Sequence, residues 1–182
     1  MTVNSDDILD FWFSERVKPL WFNSTPEFDE EIRERYLSVY HAALNNELLP
    51  WQNTARGSVA LIIVLDQFPL NMFRGKKQSF DGESLAIKVA DNAVNQGFDE
   101  QLPDDHKAFL YMPFMHSEDL ADQERSVQLF EAAGLQDNLR FARHHRDIVR
   151  RFARFPHRNA ALGRTSTDAE IEYLNSKEAF HG

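Results

Sequence analysis

The apolar segment Val59–Leu65 constrains the fold more than any other feature of the sequence. It is rich in β-branched side chains and has no polar residue, so it fits either a buried strand or a buried helix. Thr54 offers a helix N-cap and Pro69 a stop, which makes the unit about fifteen residues long, whereas strands usually have about 3–10. No other segment offers a strand partner, and a lone strand would leave its backbone polar groups unpaired. We therefore predict a helix that other helices surround.

Helix signals also follow one another along the rest of the chain. Ser24 or Thr25 can cap a helix that begins at Pro26, and Thr167 with Glu170 forms a capping box. Capping signals and apolar spacing predict helices at 5–13, 26–45, 54–68, 82–96, 103–112, 117–133, 136–155 and after 167. No linker interrupts this series, and 182 residues is the length of one domain. We predict a single all-α domain over residues 1–182.

The charge of the chain is acidic but uneven. A formal net charge of −9 disfavours general binding to nucleic acid or to an acidic membrane surface. Residues 140–164 nevertheless contain eight Arg and one acid, Asp147. Arg presents a planar fork of donors that suits a carboxylate or a phosphate. Two interpretations stay open: most of these Arg pair with acids inside the fold, or two or three of them bind an anionic ligand.

The sequence shows no signal for export or for membrane insertion. No apolar run approaches the roughly 20 residues of a membrane span, and residues 1–7 lack the basic and apolar regions of a secretory signal. We expect a soluble cytoplasmic protein with neither a membrane nor a nucleic-acid partner. The oligomeric state stays open.

The first of three unusual polar segments is Leu65–Gly75, at the end of the most apolar helix. Asp66 lies there, where a carboxylate is costly unless it is paired. We predict that Asp66 is buried in a structural ion pair with an Arg of residues 150–164. Asn71 is either a turn residue or a ligand contact, and Arg74 is a candidate ligand-binding residue.

The second segment, Tyr111–Glu118, places His116 between two predicted helices and Glu118 two residues later. The two side chains could form an acid/base pair or half a metal site, or could be a capping acid beside a hydrogen-bonded His. The chain has no Cys, no P-loop, no Gly-x-Gly-x-x-Gly and no Gly-x-Ser-x-Gly elbow. We predict neither a metal nor a cofactor.

The third segment is Arg154–Arg164, in which polar side chains crowd around Pro156. Their positive charges repel unless something anionic lies among them, either Asp66 and Glu118 or a ligand. We predict that the three segments converge, because each is a helix end flanked by apolar sequence. The predicted ligand-binding residues are Asn71, Arg74, His116, Glu118, Arg154, His157, Arg158 and Asn159. His145 faces the apolar stripe of its helix, and we predict a core histidine.

These three segments, together with Asp10–Phe13, resemble a bacterial family known as the domain of unknown function 924 family. The similar strings are Leu65-Asp-Gln-Phe-Pro-x-Asn-x-Phe-Arg-Gly75, Tyr111-Met-Pro-Phe-Met-His-Ser-Glu118 and Arg154-Phe-Pro-His-Arg-Asn-x-x-Leu-Gly-Arg164. The chain departs from the family at Leu70, where Arg is expected, and at Ala153, where Gly is expected. The resemblance implies an array of antiparallel helix pairs, similar to tetratricopeptide repeats, and it implies no activity.

Two functions remain as hypotheses. The first is a small-molecule binding protein, with or without catalysis, that holds an anionic ligand in a polar Arg/His/Asp pocket. The second is a tetratricopeptide-like scaffold that binds a protein or peptide without catalysis, for which the motive is architectural analogy.

Overall fold

The computed structural model describes residues 3–182, and all their regular structure is helical, which confirms the all-α prediction. The helices are α1 (Ser5–Trp12), α2 (Pro26–Leu44), α3 (Ala55–Ile62), α4 (Phe68–Met72), α5 (Glu83–Asn95), α6 (Asp104–His116), α7 (Leu120–Ala132), α8 (Gln136–Phe152), α9 (Asn159–Leu162) and α10 (Asp168–Leu174). Short 3-10 turns lie at Lys18–Leu20, Leu49–Asn53, Lys77–Phe80, Asp99–Gln101 and Pro156–Arg158. None of the helices in residues 3–182 is both long enough and apolar enough to cross a bilayer.

The described residues form two compact units. Unit 1 comprises residues 3–74 and 78–113, and unit 2 comprises residues 75–77 and 114–182. The single-domain organisation and the tetratricopeptide-like arrangement stay predictions.

The ambiguous apolar segment is helical, as predicted. The Thr54 side chain accepts a hydrogen bond from the backbone N–H of Gly57 at 3.0 Å and so caps α3. The predicted stop at Pro69 is wrong. A π turn, Ile63–Gln67, joins α3 to α4, and Pro69 lies in the first turn of α4, where a missing N–H is tolerated.

The π turn also explains why residue 82 is a glycine. A Cβ at Gly82 would lie 2.3 Å from the backbone oxygen of Leu65, which is closer than a real Cβ can approach. The chain therefore passes the π turn at a distance that only glycine allows.

The core of unit 1 is aromatic. The Tyr36 ring stacks on Phe68 with centroids 4.7 Å apart, and Trp12 meets Phe68 and Phe109 edge-on at 5.6 and 5.7 Å. These four side chains are buried. Such ring pairs add to the stabilisation from their apolar area, so they fix α1, α2 and α4 against the start of α6.

Three further predictions need correction, namely helix caps at Ser5 and Ser117 and a helix end before Pro113. Asn4, not Ser5, caps α1 through a capping box with Asp7. Asp119, not Ser117, caps α7 by accepting from the backbone N–H of Ala121 at 2.7 Å. Pro113 does not end α6, since the helix continues through it to His116.

Unit 2 is built on α7 and α8, which pack against each other, and on α10. Phe114, Phe130 and Phe155 are fully buried in it. The predicted end of α8 at residue 155 is wrong, because the helix ends at Phe152 and Ala153 takes a left-handed conformation with φ 59°. The predicted capping box of α10 is present: Thr167 accepts from Glu170 N at 3.2 Å, and Glu170 accepts from Thr167 N at 2.8 Å.

Candidate functional site

Asp66 lies on the π turn and is buried, as predicted. Its carboxylate accepts a hydrogen bond of 2.7 Å from the side-chain amide of Gln67, which also contacts the sulfur of Met112 at 3.6 Å. The ion pair of Asp66 with an arginine stays a prediction.

Asn71 and Arg74 meet at one carboxylate of unit 1, that of Asp29. Arg74 donates to Asp29 through Nε at 2.8 Å and Nη2 at 3.0 Å, and Asn71 donates at 2.7 Å. The hydroxyl of Ser24 donates to Asp29 at 2.6 Å. Burial raises the pKa of Asp29, but the hydrogen bonds from Arg74, Ser24 and Asn71 outweigh it and leave that pKa below its ordinary value.

Glu118 is the centre of a second network, in unit 2. Arg164 binds its two carboxylate oxygens at 2.7 and 2.8 Å, and the backbone N–H of Phe155 donates to it at 2.7 Å. Burial raises the pKa of Glu118, yet these donors bring it below its ordinary value. Glu118 is therefore not the cap of α7 but an ion-paired carboxylate that fixes the turn after α8.

Arg154 and Asn159 belong to a third network, centred on Glu170. Arg154 donates to the carboxylate at 2.7 and 2.8 Å, and the Asn159 amide donates at 3.2 Å. The Arg154 hydrogen bonds are the main reason that the pKa of Glu170 falls to about 2. The Asn159 oxygen in turn accepts from Arg164 Nε at 2.9 Å, so the Glu118 and Glu170 networks are continuous.

His116, His157 and Arg158 form the remaining group, which we call the basic cluster. Arg158 is buried and donates to the backbone oxygen of His116 at 2.6 Å, and its guanidinium lies 4.8 Å from the ring centroid of Phe155. The His157 ring lies 5.6 Å from Phe155 and 5.0 Å from Phe180.

The imidazole of His157 is neutral at neutral pH. Burial first, and then the positive charge of Arg158, lower the pKa of His157 to about 4. Its ring forms no hydrogen bond with any residue among 3–182.

His145 matches its prediction as a core histidine. It is buried in α8, with Nδ1 2.8 Å from the backbone oxygen of Phe141. Burial lowers the pKa of His145 to about 3. Its ring packs on Phe155 at 5.5 Å and on Phe180 at 4.4 Å.

Sequence reasoning missed the acids that hold the predicted site residues. Asp29 is read from sequence as an acid that complements the dipole of α2, and Glu170 as the acid of a capping box. Both do so while also binding residues distant in sequence. Arg164 ends the third segment, and nothing in the sequence distinguishes it from the other seven Arg of residues 140–164. Within residues 3–182, no group of three or more His, Asp or Glu side chains is arranged to hold a metal ion.

A family profile described as "Bacterial protein of unknown function (DUF924)" matches residues 8–178. The chain belongs to the DUF924 family. A solved structure of a protein of unknown function, ATU0120 from Agrobacterium tumefaciens, is similar to this DUF924 protein with a TM-score of 0.88 and 41% sequence identity. The similarity covers 94% of this chain and 96% of that one. No curated protein matches the chain.

The polar residues of unit 2 in this DUF924 protein thus fall into two sets. Glu118, Arg154 and Asn159 are fully engaged, together with Arg164 and Glu170, in a network that holds the chain after α8. The basic cluster lies beside that network and includes an imidazole without a hydrogen-bond partner among the described residues.

Proposed function

We propose that this protein binds a small anionic molecule at the basic cluster. One observation carries the proposal: the His157 imidazole, with no hydrogen-bond partner among residues 3–182, lies beside the buried guanidinium of Arg158. Buried polar groups are nearly always hydrogen-bonded, so a half-buried imidazole without a partner indicates a ligand or water that would supply one. A neutral imidazole can donate through one nitrogen and accept through the other.

The surrounding acids support an anionic ligand in preference to a cationic one. Glu118 is bound by Arg164 and Glu170 by Arg154, so each of these carboxylates is already neutralised by a guanidinium. The guanidinium of Arg158 makes the surroundings of His157 positive, since its charge lowers the pKa of that imidazole. A carboxylate or phosphate group suits a positive environment of this kind. We propose binding alone, without a reaction. We also propose that the protein acts in the cytoplasm.

The test is a thermal-shift screen with inorganic phosphate, organic acids, nucleotides and sugar phosphates, followed by calorimetry on any compound that raises the Tm. We expect His157→Gln and Arg158→Lys to weaken binding by about tenfold or more, which is the loss of one good polar contact. The matched control is His41→Gln, an exposed histidine at the end of α2, which should leave the affinity unchanged. The proposal fails if no anion shifts the Tm or if His157→Gln binds as tightly as the wild type.

A protein- or peptide-binding scaffold is the second candidate, and one observation favours it. Phe22 is 76% exposed in unit 1, where its ring lies 6.4 Å from Trp21 and 6.3 Å from Phe109. Among residues 3–182 it is the most exposed of the large hydrophobic side chains, and a contact surface is one use for apolar area left in solvent. In-cell cross-linking tests this alternative: a partner that is captured by the wild type and lost in Phe22→Ser supports it, and identical captures contradict it.

A further inference from the structure

Unit 1 contains a cleft of about 540 Å³ that shares no residue with the basic cluster. Helices α1 and α2 line it. Clefts of this size suit small molecules. The lining side chains that bear on its chemistry are Asp7, Asp10, Phe11, Ser14, Arg35 and Tyr36.

The cleft is lined by opposite charges that do not neutralise each other. Asp7 and Asp10 are three residues apart in α1 and so share one side of the helix, while Arg35 comes from α2. Neither carboxylate pairs with Arg35. Asp7 accepts a capping hydrogen bond of 2.8 Å from Asn4 N, and Asp10 has no hydrogen bond or ion pair with any residue among 3–182.

Arg35 keeps donors for a ligand. It gives one hydrogen bond of 3.0 Å to Glu31, and Arg16 binds the same carboxylate through two bonds of 2.7 and 2.9 Å. Two guanidinium groups therefore share one carboxylate. Because a guanidinium has five N–H donors, that single bond leaves most of those of Arg35 for other partners.

Tyr36 is a second, independent sign of a ligand. The residue is 3% exposed and its ring is stacked on Phe68, yet it lines the cleft. Its hydroxyl forms no hydrogen bond with any described residue. The hydroxyl oxygen is not closed off from solvent, so a molecule bound in the cleft can reach it and supply a partner.

We propose that this cleft binds a zwitterionic small molecule of the α-amino acid class. The ammonium group lies at Asp10 and Asp7, the carboxylate lies at Arg35, and the hydroxyl of Tyr36 bonds one of the polar ends. The Phe11 ring lies against the guanidinium of Arg35, with 4.5 Å between Cζ and the ring centroid, and so helps to hold it at the cleft. A ligand that carries both charges pairs with the carboxylates and with the guanidinium, whereas a ligand with one charge leaves the opposite group of the cleft without a charge partner.

Three compounds with the same aromatic body separate these contributions by calorimetry on the full chain. Phenylalanine carries both charges, phenethylamine lacks the carboxylate, and 3-phenylpropanoate lacks the ammonium group. We expect phenylalanine to bind about tenfold more tightly than either of the others, since each charge-assisted contact is worth at least that factor.

Variants assign each charge to its residue. Asp10→Asn should weaken phenylalanine and phenethylamine by about tenfold and leave 3-phenylpropanoate unchanged. Arg35→Gln should reduce phenylalanine to the affinity of phenethylamine, and Tyr36→Phe should weaken phenylalanine without a change in selectivity. Asp137→Asn removes a fully exposed carboxylate on α8 and is the matched control.

The proposal is overturned if phenylalanine shows no saturable binding at concentrations on the order of 10 mM, which is weaker than about −3 kcal/mol. It is also overturned if 3-phenylpropanoate binds as tightly as phenylalanine, or if Asp10→Asn retains the wild-type affinity. A thermal melt of each variant separates loss of binding from loss of fold. The result does not depend on the basic cluster, whose variant His157→Gln should bind phenylalanine normally.

Discussion

The charged residues of unit 2 differ in what their surroundings do to them. Glu118 and Glu170 each accept several short hydrogen bonds, and the pKa of each lies below its ordinary value. Burial is the main cause that lowers the pKa values of His145 and His157, and the charge of Glu118 offsets only part of this effect at His157. Both pairs therefore lose stability as the pH falls, the histidines from about pH 6.5 downward and the carboxylates from about pH 4.5 downward.

Substitution separates the residues of the network from the residues of the proposed site. Glu118→Gln should lower the Tm clearly, because it leaves the half-buried guanidinium of Arg164 without its charge partner. His157→Gln should leave the Tm nearly unchanged, because its ring has no hydrogen bond to lose within residues 3–182. Differential scanning calorimetry checks both. A large loss for His157→Gln, with little loss for Glu118→Gln, would reverse the assignment.

His145 should make the protein acid-sensitive. Its folded pKa, about 3, lies below the value of about 6.5 in an unfolded chain, so the unfolded state takes up the proton first. The free energy of unfolding therefore falls as the pH drops below about 6.5, by about 2 kcal/mol at pH 5 from this residue alone.

Urea unfolding of His145→Leu between pH 7 and pH 5 checks this expectation. The variant should show a smaller loss of stability over that range than the wild type, whatever its stability at pH 7. His41→Gln, at an exposed site, should keep the wild-type pH dependence. Equal pH dependence in the wild type and His145→Leu would contradict the pKa assigned to His145.

At the scale of helices, the sequence predicts boundaries where a cap or an apolar period marks them. Thr25, Thr54 and the capping box at Thr167 are local signals, and α2, α3 and α10 begin where these signals place them. The predicted stop at Pro69 and the predicted end of α8 at residue 155 are wrong because no local residue marks the true boundary. A π turn depends on which carbonyl each backbone N–H bonds, which no single residue type indicates. The left-handed residue that ends α8 is Ala153, whereas such a helix end is usually recognised by a Gly.

The same limit applies to the candidate site. The sequence predicts that polar side chains of the three segments lie at the edge of the core, and Asp66, Arg158 and Asn159 are buried. The sequence does not show which acids the arginines of the three segments bind. Asp29 and Glu170 lie 45 and 16 residues from the arginines they bind, and a local pattern cannot choose among the many acids of an acidic chain.

Ala153→Gly should stabilise the protein. A Cβ in the left-handed region costs roughly 1–2 kcal/mol, and Ala153→Gly removes this cost. The extra flexibility of glycine in the unfolded chain cancels roughly half of the resulting gain in stability. We therefore expect a net gain of about 0.5–1 kcal/mol in the free energy of unfolding. Ala132→Gly, at an exposed helical position at the end of α7, is the control and should destabilise instead. Destabilisation by both variants would show that Ala153 is not strained.

At the scale of the whole molecule, the predicted single domain has a thermodynamic meaning. If residues 1–182 fold as one cooperative domain, calorimetry shows one transition, with a van't Hoff enthalpy equal to the calorimetric enthalpy. Variants in the two units should then move the same transition.

Gly82→Ala in unit 1 and Glu118→Gln in unit 2 are suited to this test. The added methyl group forces the backbone away from Leu65, at a cost of about 1–3 kcal/mol. Each variant should lower the single transition of the wild type without splitting it. Two transitions, each lowered by only one of the variants, would contradict a single domain.

The central claim is that His157 belongs to an anion-binding site, and the pKa of His157 tests it most directly. Two-dimensional ¹H–¹⁵N NMR of the histidine rings gives this pKa with and without inorganic phosphate. We predict a pKa of about 4 in the free protein and, because an adjacent anion favours the charged imidazole, a rise by about one unit or more when phosphate is bound. The same pKa of His157 in both conditions, with phosphate in large excess, would contradict the claim.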